Sequence, residues 1–500
     1  MPGDARVIGE ADKKPPSPAI GRSDLAILLF ILLLAAVLRI VGLNSPLWYD
    51  EIWTVDTHVR LPWGGMMREY SMNHHYFFSM KAKLFSQIFG EEAWVYRFPA
   101  VVFGVGIVAA IWWLAKEVAN TWIGHVSALL VALSYHQVWF SQNARGYTEL
   151  AFWSVLGLIL FLRGVRRPSM KTWIAFGLTA AAAVFTHLTG AFFFVALGFV
   201  WLISLVTGFG REAPLTREWV LQPLIGVALA LVLTFLAYLP ILPSVLNTMG
   251  EISATSSVDK MQVYQNPIWT MFEGLRTAIG NTGPLTVIVA VAGLVTIAFG
   301  ALGTHTKQPL FFVAIAMHIV VTLVILMSLD MRIWPRFFFV DIGPVIVLVV
   351  VGCGYGAGLV ARLFRRPQIL RPLFIAGVLV MVAVSLFLVK RNYDAPKQNL
   401  AGAFAFVEET RGPSERVYAI NPGGPVFESH FDADWTTIGD AEGYAEAMEQ
   451  PGPVALVVLF PNRMLRVIPG LGTDIDKELE LERAFAGTLG DGHVLIYRRK

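Results

Sequence analysis

Long apolar stretches recur along most of the chain, separated by polar segments of very different lengths. A nearly uncharged stretch of roughly 18 residues or more is long enough to cross the hydrocarbon of a membrane as a helix. The pattern therefore predicts about eleven transmembrane helices in a multi-pass α-helical membrane protein. Their predicted bounds are 24–43, 99–116, 121–135, 147–163, 173–187, 190–206, 221–242, 285–302, 310–327, 337–361 and 372–389.

The pattern changes near the C-terminus, where short strand-like runs alternate with charged, helix-permissive segments. Residues 399–409 are helix-like, and the strand-like runs are 416–420, 454–460 and 493–497. These features predict a small α/β domain outside the membrane over residues 391–500. The chain then divides into a polar tail (1–23), a transmembrane domain (24–390) and this C-terminal domain.

Composition agrees with a membrane protein and excludes several other classes. Hydrophobic residues make up 55% of the chain and charged residues only 15%. The formal net charge of +3 is too small to indicate a nucleic-acid partner. The single cysteine, Cys353, excludes both a disulfide framework and a thiolate metal cluster.

The distribution of basic residues among the loops predicts the orientation of the helices in the membrane. The polar first residues precede an apolar core that comes too late for a cleavable signal, so we predict a disordered cytoplasmic tail and an uncleaved first span. On that orientation the most basic short loops are cytoplasmic, as the positive-inside rule requires. These loops contain Arg163, Arg166, Arg167, Lys171, Arg362, Arg365, Arg366 and Arg371. The outer side receives the segments 44–95, 136–146, 242–283 and 328–336 and the C-terminal domain.

An acidic pair, Asp50 and Glu51, follows the first span on the predicted outer side. A carboxylate at the membrane face can remove a proton from an acceptor hydroxyl, a role worth roughly 10² to 10⁴ in rate. The competing interpretation is that the pair is solvated or caps a helix, because an Asp-Glu dipeptide alone is a weak signal.

Two histidines, His74 and His75, lie further along the same outer segment. Imidazole and carboxylate are ordinary metal ligands. Adjacent side chains on a helix point in different directions, however, so we favour hydrogen bonds to phosphate or sugar, and a divalent metal is the minor alternative. His187, between two closely spaced spans, faces either a polar cavity or a packing contact.

Four arginines stand at the outer rim, where positive-inside statistics disfavour them: Arg97, Arg145, Arg332 and Arg336. A lipid-linked phosphate is one reason for such arginines, because guanidinium matches phosphate oxygens in a bidentate way. Salt bridges and lipid headgroup contacts are the alternatives. Glycines 352, 354 and 356 lie inside a span and indicate helix packing rather than a dinucleotide loop. No motif indicates ATP or another cofactor.

Several motifs in a fixed order resemble a known family. After the acidic pair and the histidines come Tyr96-Arg97-Phe98-Pro99, then Trp139 to Tyr147 (WFSQNARGY), Thr186-His187, Trp334 to Phe338 (WPRFF) and Tyr393 to Gln398 (YDAPKQ). This set is similar to bacterial members of glycosyltransferase family 39. They are relatives of the dolichyl-phosphate-mannose protein mannosyltransferases and of the aminoarabinose transferases of lipid A, and they have the GT-C fold.

The resemblance implies an inverting hexosyl- or pentosyltransferase in the inner membrane of a bacterium, acting on its outer, periplasmic face. The donor would be a polyprenyl-phosphate-linked sugar and the acceptor a hydroxyl of a lipid, glycan or protein. Asp50 matches the catalytic carboxylate, with Glu51 beside it. Basic groups, chiefly Arg145 and Arg336 with His74 or His187, would stabilise the leaving phosphate, and Tyr147 belongs to the same donor-binding set.

The sequence also departs from the family pattern. His74-His75-Tyr76 stands where the family often has His-Pro-Pro, and Asn143 stands where it often has glutamate. Without that glutamate there are fewer possible metal ligands. Its absence also argues against a second catalytic acid at this position. A lipid-carrier flippase or transporter and a non-catalytic membrane scaffold are the competing interpretations.

Overall fold

The computed structural model describes residues 21–71, 73–212, 214–254, 266–270 and 284–499. The predicted N-terminal tail and most of the predicted outer segment 242–283 lie outside the described residues.

The membrane region consists, in its described part, of helices joined by turns and loops. Its α-helices are α1 (Arg22–Ile40), α2 (Tyr49–Thr54), α3 (Trp63–Met66), α4 (Tyr76–Phe89), α5 (Ala93–Val118), α6 (Thr121–Leu133), α7 (Tyr135–Ser141), α8 (Tyr147–Arg166), α9 (Met170–Thr186), α10 (Gly190–Thr207), α11 (Arg217–Tyr238), α12 (Leu242–Ala254), α13 (Pro284–His305), α14 (Leu310–Ser328), α15 (Phe339–Leu363) and α16 (Leu370–Asp394). A π-helical turn (Val55–Val59) follows α2, and a 3-10 turn (Pro335–Phe338) leads into α15.

Within the described ranges, nine helices are long and apolar enough to cross a membrane. Two further apolar helices, α6 and α9, are shorter. Each of the eleven predicted stretches coincides with one of these helices, so the multi-pass helical class is confirmed. The number of spans stays a prediction, because the two shorter helices fall below the length that composition alone can assign.

The helices differ sharply in how much of their surface other helices cover. The most apolar windows of α5 and α8 are 61% and 72% buried, whereas those of α13 and α16 are 11% and 6% buried. Apolar side chains exposed on a spanning helix face lipid rather than water. The membrane core is therefore built around α5, α8 and α15, and the exposed helices line its outside.

One buried arginine joins the first helix to this core. Arg39, near the end of α1, is 0% exposed, and its Nε donates to Ser141 Oγ at 3.0 Å. Its Nη1 donates to the Ala35 and Ala132 carbonyls. A Cβ at Gly104 would lie 2.1 Å from Ser141 Oγ, so only glycine leaves room for this contact. The arrangement holds α1 against α5 and the α6–α7 corner.

The C-terminal domain is a five-stranded sheet with helices. Its elements are α17 (Leu400–Thr410), β1 (Arg416–Ile420), α18 (Gly423–Phe431), β2 (Thr436–Ile438), α19 (Ala441–Glu449), β3 (Val454–Leu459), α20 (Pro461–Val467), α21 (Pro469–Lys477), β4 (Leu479–Phe485) and β5 (Val494–Arg499). The strand order is β2-β1-β3-β5-β4, with β5 antiparallel to both of its neighbours. The predicted small α/β domain is confirmed, and the three predicted strands are β1, β3 and β5.

The C-terminal domain packs on the segment that follows α1. Leu47, Ile52 and Val55 share one apolar cluster with Val426 and Phe427. The Tyr49 backbone N–H also donates to Gln398 Oε1 at 3.2 Å, and Trp139 Nε1 donates to Thr488 Oγ1 at 3.2 Å. The domain therefore sits over the same end of the helix bundle that carries Asp50.

Candidate active site

Asp50 lies in the first turn of α2, on the surface of the helix bundle beneath the C-terminal domain. The turn is closed by a capping interaction in which the Trp48 backbone N–H donates to Glu51 Oε2 at 3.3 Å. The Thr54 hydroxyl donates to the Asp50 carbonyl at 2.8 Å. These contacts hold the backbone while the Asp50 side chain remains 14% exposed.

Two predicted arginines meet the Asp50 carboxylate. Asp50 Oδ2 lies 3.4 Å from a guanidinium nitrogen of Arg145 and 3.3 Å from one of Arg336. Arg145 comes from the turn before α8, and Arg336 comes from the 3-10 turn before α15. Three segments far apart in the chain thus place one carboxylate between two cations.

Arg145 is held rigidly. Its side chain is 1% exposed, and Nη2 donates to Asn73 Oδ1 and lies 3.2 Å from His75 Nε2. The next residue, Gly146, is tightly confined, because a Cβ there would lie 2.9 Å from His75 Nδ1. A glycine is therefore needed for the backbone to bring Arg145 against the histidine.

The other predicted donor-binding side chains fall into two groups. His75 packs against Tyr147 and His187, with ring centroids 4.7 and 4.5 Å away. His74 instead stacks on His58 at 3.7 Å. Burial first, and then the neighbouring His187 and Arg145, hold the pKa of His75 well below its usual range. A neutral His75 can accept from Arg145 with one ring nitrogen.

Glu51 and Arg97 form an ion pair with each other, separate from the cluster of Asp50, Arg145 and Arg336. Arg97 donates to both Glu51 carboxylate oxygens, at 2.7 and 2.6 Å, and both side chains are essentially unexposed. The Ala144 backbone N–H adds a third donor at 2.6 Å. The remaining donors of Arg97 bind carbonyls of the segment after α1, those of Leu43, Ser45 and Pro46. Every polar atom of this pair is therefore committed within the protein.

Lys397 is a partly buried lysine beside this pair that the sequence analysis did not single out. Its ammonium donates to the Gln142 carbonyl and lies 5.3 Å from the centre of the Trp139 ring. Burial lowers its pKa to about 7, although the nearby Glu51 carboxylate opposes the shift. Its presence in the YDAPKQ motif was the available signal.

The fourth predicted arginine, Arg332, lies in the segment before α15, near a cation of the C-terminal domain. Burial, and then the charge of Arg463, lower the pKa of Arg332. Burial and the Asp50 charge raise the pKa of Tyr49 to about 12, and the Tyr49 ring meets Phe460 edge-on at 5.4 Å. The C-terminal domain thus contributes Phe460 and Arg463 to this rim, and nothing in their local sequence indicated it.

Asn143, where the sequence departs from the family pattern, and Lys81 are both held by contacts within the protein. Asn143 Oδ1 accepts from Trp48 Nε1 at 3.2 Å. Lys81, on α4, lies 2.6 Å from the buried carboxylate of Glu149. Across the described residues, no three His, Cys, Asp or Glu side chains come together in a way that would hold a metal ion.

The chain is similar to known glycosyltransferases. Residues 74–238 match the family model described as dolichyl-phosphate-mannose-protein mannosyltransferase. No curated protein sequence matches the chain.

Solved structures give the fold. ArnT from Cupriavidus metallidurans, bound to undecaprenyl phosphate, has a TM-score of 0.52 and 12% identity, covering 95% of this chain and 97% of that one. The oligosaccharyltransferase AglB from Archaeoglobus fulgidus, in complex with an inhibitory peptide and a dolichol-phosphate, has a TM-score of 0.51 and 14% identity, covering 90% of this chain and 71% of that one. The predicted GT-C fold and the resemblance to mannosyltransferase-like glycosyltransferases are confirmed.

Proposed function

We propose, from the GT-C fold and the Asp50 site together, that this protein is an inverting glycosyltransferase. It moves a hexosyl or pentosyl group from a polyprenyl-phosphate carrier to a hydroxyl of a lipid, glycan or protein acceptor. The observation that carries the proposal is the partly exposed Asp50 carboxylate between the guanidinium groups of Arg145 and Arg336. A base for the acceptor and cations for the phosphate thus stand side by side.

In the proposed reaction, Asp50 accepts the proton of the acceptor hydroxyl as its oxygen attacks the anomeric carbon. The bond from that carbon to the phosphate oxygen breaks on the opposite side, which inverts the configuration. The carrier leaves as a polyprenyl phosphate with an added negative charge. Arg145 and Arg336 are placed to stabilise this charge, because charge-assisted hydrogen bonds to phosphate are stronger than neutral ones.

The remaining predicted residues support these three groups in different ways. We assign His75, Tyr147 and His187 to one wall of the donor site, since they pack together behind Arg145. His74 has an indirect role, in which its ring packs against that of His58. Arg332, at the same rim, is placed to meet the donor phosphate or an anionic acceptor.

Glu51 and Arg97 receive a different role from the one the sequence suggested. A carboxylate that accepts two arginine donors and two backbone N–H groups has no free position for an acceptor proton. We propose that this pair positions α2, and through it Asp50, rather than touching substrate. Catalysis would then rest on a single carboxylate.

The proposed location is the bacterial inner membrane, with the N-terminus cytoplasmic. The basic ends of α8 and α15 lie away from Asp50, and the positive-inside rule assigns them to the cytoplasm. The Asp50 site and the C-terminal domain then face the periplasm. A polyprenyl carrier in the outer leaflet would reach this site with its phosphate at headgroup depth.

The test is sugar transfer by the purified full-length protein in nanodiscs. A panel of radiolabelled polyprenyl-phosphate sugars is offered with total membrane lipid, glycan and peptide acceptors. Asp50→Asn is compared with Asp56→Asn, a matched control six residues further on whose carboxylate pairs with Arg60. We expect Asp50→Asn to lower transfer about 10²- to 10⁴-fold and Asp56→Asn to leave it nearly unchanged.

Each outcome separates the competing functions. Label transferred only when Asp50 is intact supports the enzyme and identifies its donor. Transfer at the parental rate by a folded Asp50→Asn protein would assign the chemistry to another residue. Carrier movement across the bilayer without transfer from any donor would favour a transporter, and neither activity would favour a scaffold.

A further inference from the structure

A second polar site lies at the opposite end of α8 from the Asp50 group. A cavity of about 310 Å³ opens there between the end of α8, the loop after α10 and the loop joining α13 to α14. Its charged and ionisable lining residues are Arg166, Arg211, Glu212, His305 and Lys307. None of them takes part in the proposed transfer.

The length of α8 places this cavity at the other face of the membrane. The helix has 20 residues. At 1.5 Å per residue it is about 30 Å long, close to the thickness of the bilayer hydrocarbon. Arg145 precedes its first residue and Arg166 is its last, so the two sites lie at opposite interfaces.

The cavity carries more positive than negative charge. Arg166 Nε donates to Glu212 Oε1 at 2.9 Å, which neutralises one cation with the only carboxylate among the lining residues. Lys307 donates to the Ala119 carbonyl, a contact that satisfies one N–H without neutralising the charge. Arg211 supplies a further positive charge. The net positive charge of the lining residues therefore favours binding of an anion.

Arg211 is the strongest single indication that the cavity binds an anion. Its Nη1 atom is buried and has no hydrogen-bond partner among the described residues. The loop that carries it is shaped by Gly208 and Gly210, with φ of +76° and +74°, and a Cβ at Gly210 would lie 2.6 Å from Leu310. A donor without a partner is unfavourable, so an acceptor that reaches this nitrogen gains a charge-assisted hydrogen bond.

Two of the helices that end at the cavity expose apolar side chains to lipid. Val206, near the end of α10, is 82% exposed, and Leu302, near the end of α13, is 55% exposed. On spanning helices such exposure means contact with acyl chains. The cavity therefore combines a cationic centre at headgroup depth with an apolar flank directed into the bilayer.

We propose that this cavity binds the phosphate group of an anionic phospholipid in the leaflet opposite the Asp50 site. Basic pockets between the ends of transmembrane helices on the cytoplasmic side are suited to such headgroups. Arg211 contacts the phosphate, Lys307 adds attraction, and Glu212 weakens it. Free phosphate shares the same chemistry, and the experiment separates the two sources.

The experiment is native mass spectrometry of the full-length protein in detergent, titrated with phosphatidylglycerol or with phosphatidylethanolamine of matched acyl chains. The parent is expected to bind one phosphatidylglycerol preferentially. Arg211→Gln should weaken this binding about tenfold, the size expected for one charge-assisted hydrogen bond. Glu212→Gln, which removes the opposing charge, should tighten it. Arg362→Gln, an exposed arginine of the same face outside the cavity, is the matched control and should change nothing.

The two variants of opposite sign keep the test decisive even if one of them folds poorly. Equal binding of the two lipids by the parent, or unchanged binding by both Arg211→Gln and Glu212→Gln, would overturn the proposal. Inorganic phosphate is added in a separate titration. If it binds in an Arg211-dependent way while phosphatidylglycerol shows no preference, the cavity takes a soluble anion and the lipid assignment is wrong.

Discussion

Two neighbouring carboxylates, Asp50 and Glu51, meet arginines in very different ways. Glu51 is fully buried and accepts from Arg97 at 2.7 and 2.6 Å and from a backbone N–H at 2.6 Å. Asp50 is partly exposed, and its contacts with Arg145 and Arg336 are 3.4 and 3.3 Å long. Glu51 and Arg97 thus form a closed pair, in which the acceptor positions of the carboxylate are filled by the protein. Asp50, Arg145 and Arg336 form an open site, in which the carboxylate is partly exposed and its contacts are longer.

The difference shows which carboxylate is available to a substrate. A saturated buried ion pair is strongly destabilised when one partner is removed, but it offers nothing to a ligand. Long, single contacts at a partly exposed carboxylate can be exchanged for contacts with a phosphate and a hydroxyl. An arginine-paired acid in a membrane enzyme is therefore a better catalytic candidate when its pairing is incomplete.

The substitution with the largest expected effect breaks the closed pair of Glu51 and Arg97. Arg97→Gln leaves Glu51 buried without its partner, so we expect the free energy of unfolding to fall by about 3 to 5 kcal/mol. Thermal unfolding in detergent measures this change. Asp50→Asn, at the open site, should unfold near the parental temperature. A stable Arg97→Gln protein with normal transfer would show that the pair does not position α2.

The next effect separates the two arginines of the open site. Arg336 is 32% exposed and Arg145 only 1%. Arg336→Gln should lower the transfer rate about ten- to hundredfold, the value of one charge-assisted hydrogen bond, with little change in stability. Arg145→Gln should lower both rate and stability, because Asn73 and His75 lose a partner.

These variants are compared by transfer rate against donor concentration and by thermal unfolding. Arg60→Gln is the matched control, since Arg60 pairs with Asp56 and Glu91 in the same outer segment, away from the site. Transfer by Arg336→Gln at the parental rate would remove Arg336 from the proposed mechanism.

The smallest expected effect concerns pH. The pKa of Lys397 is about 7 in the folded protein, below its usual 10.5. Between these values the unfolded chain binds a proton that the folded protein lacks, so stability from this group increases as pH rises from 7 towards 10.5 and is lower and constant below 7.

Lys397→Met removes this dependence. We expect the variant to exceed the parent in melting temperature at pH 6, and the difference to shrink by on the order of 5 °C at pH 10. Melting curves of both proteins across this pH range test it. A difference that stays the same at every pH would contradict a titrating Lys397.

The membrane class, the helical segments and the C-terminal strands β1, β3 and β5 were predictable because each depends on a local run of apolar residues. The edge strands β2 and β4 were not predicted. β2 has three residues, and five of the seven residues of β4 are exposed. Edge strands bury too little apolar surface to leave a clear pattern.

The sequence by itself also placed Asp50, Arg145 and Arg336 at one rim, because hydrocarbon thickness fixes where each span must end. Only the tertiary structure decided which of the two acids, Asp50 or Glu51, is accessible to a substrate. Successive helical residues are about 100° apart, so Asp50 and Glu51 must face different surroundings. What those surroundings are depends on Arg97, Arg145 and Arg336, which are distant in the chain. Long-range packing alone brings them to α2, and no local pattern records it.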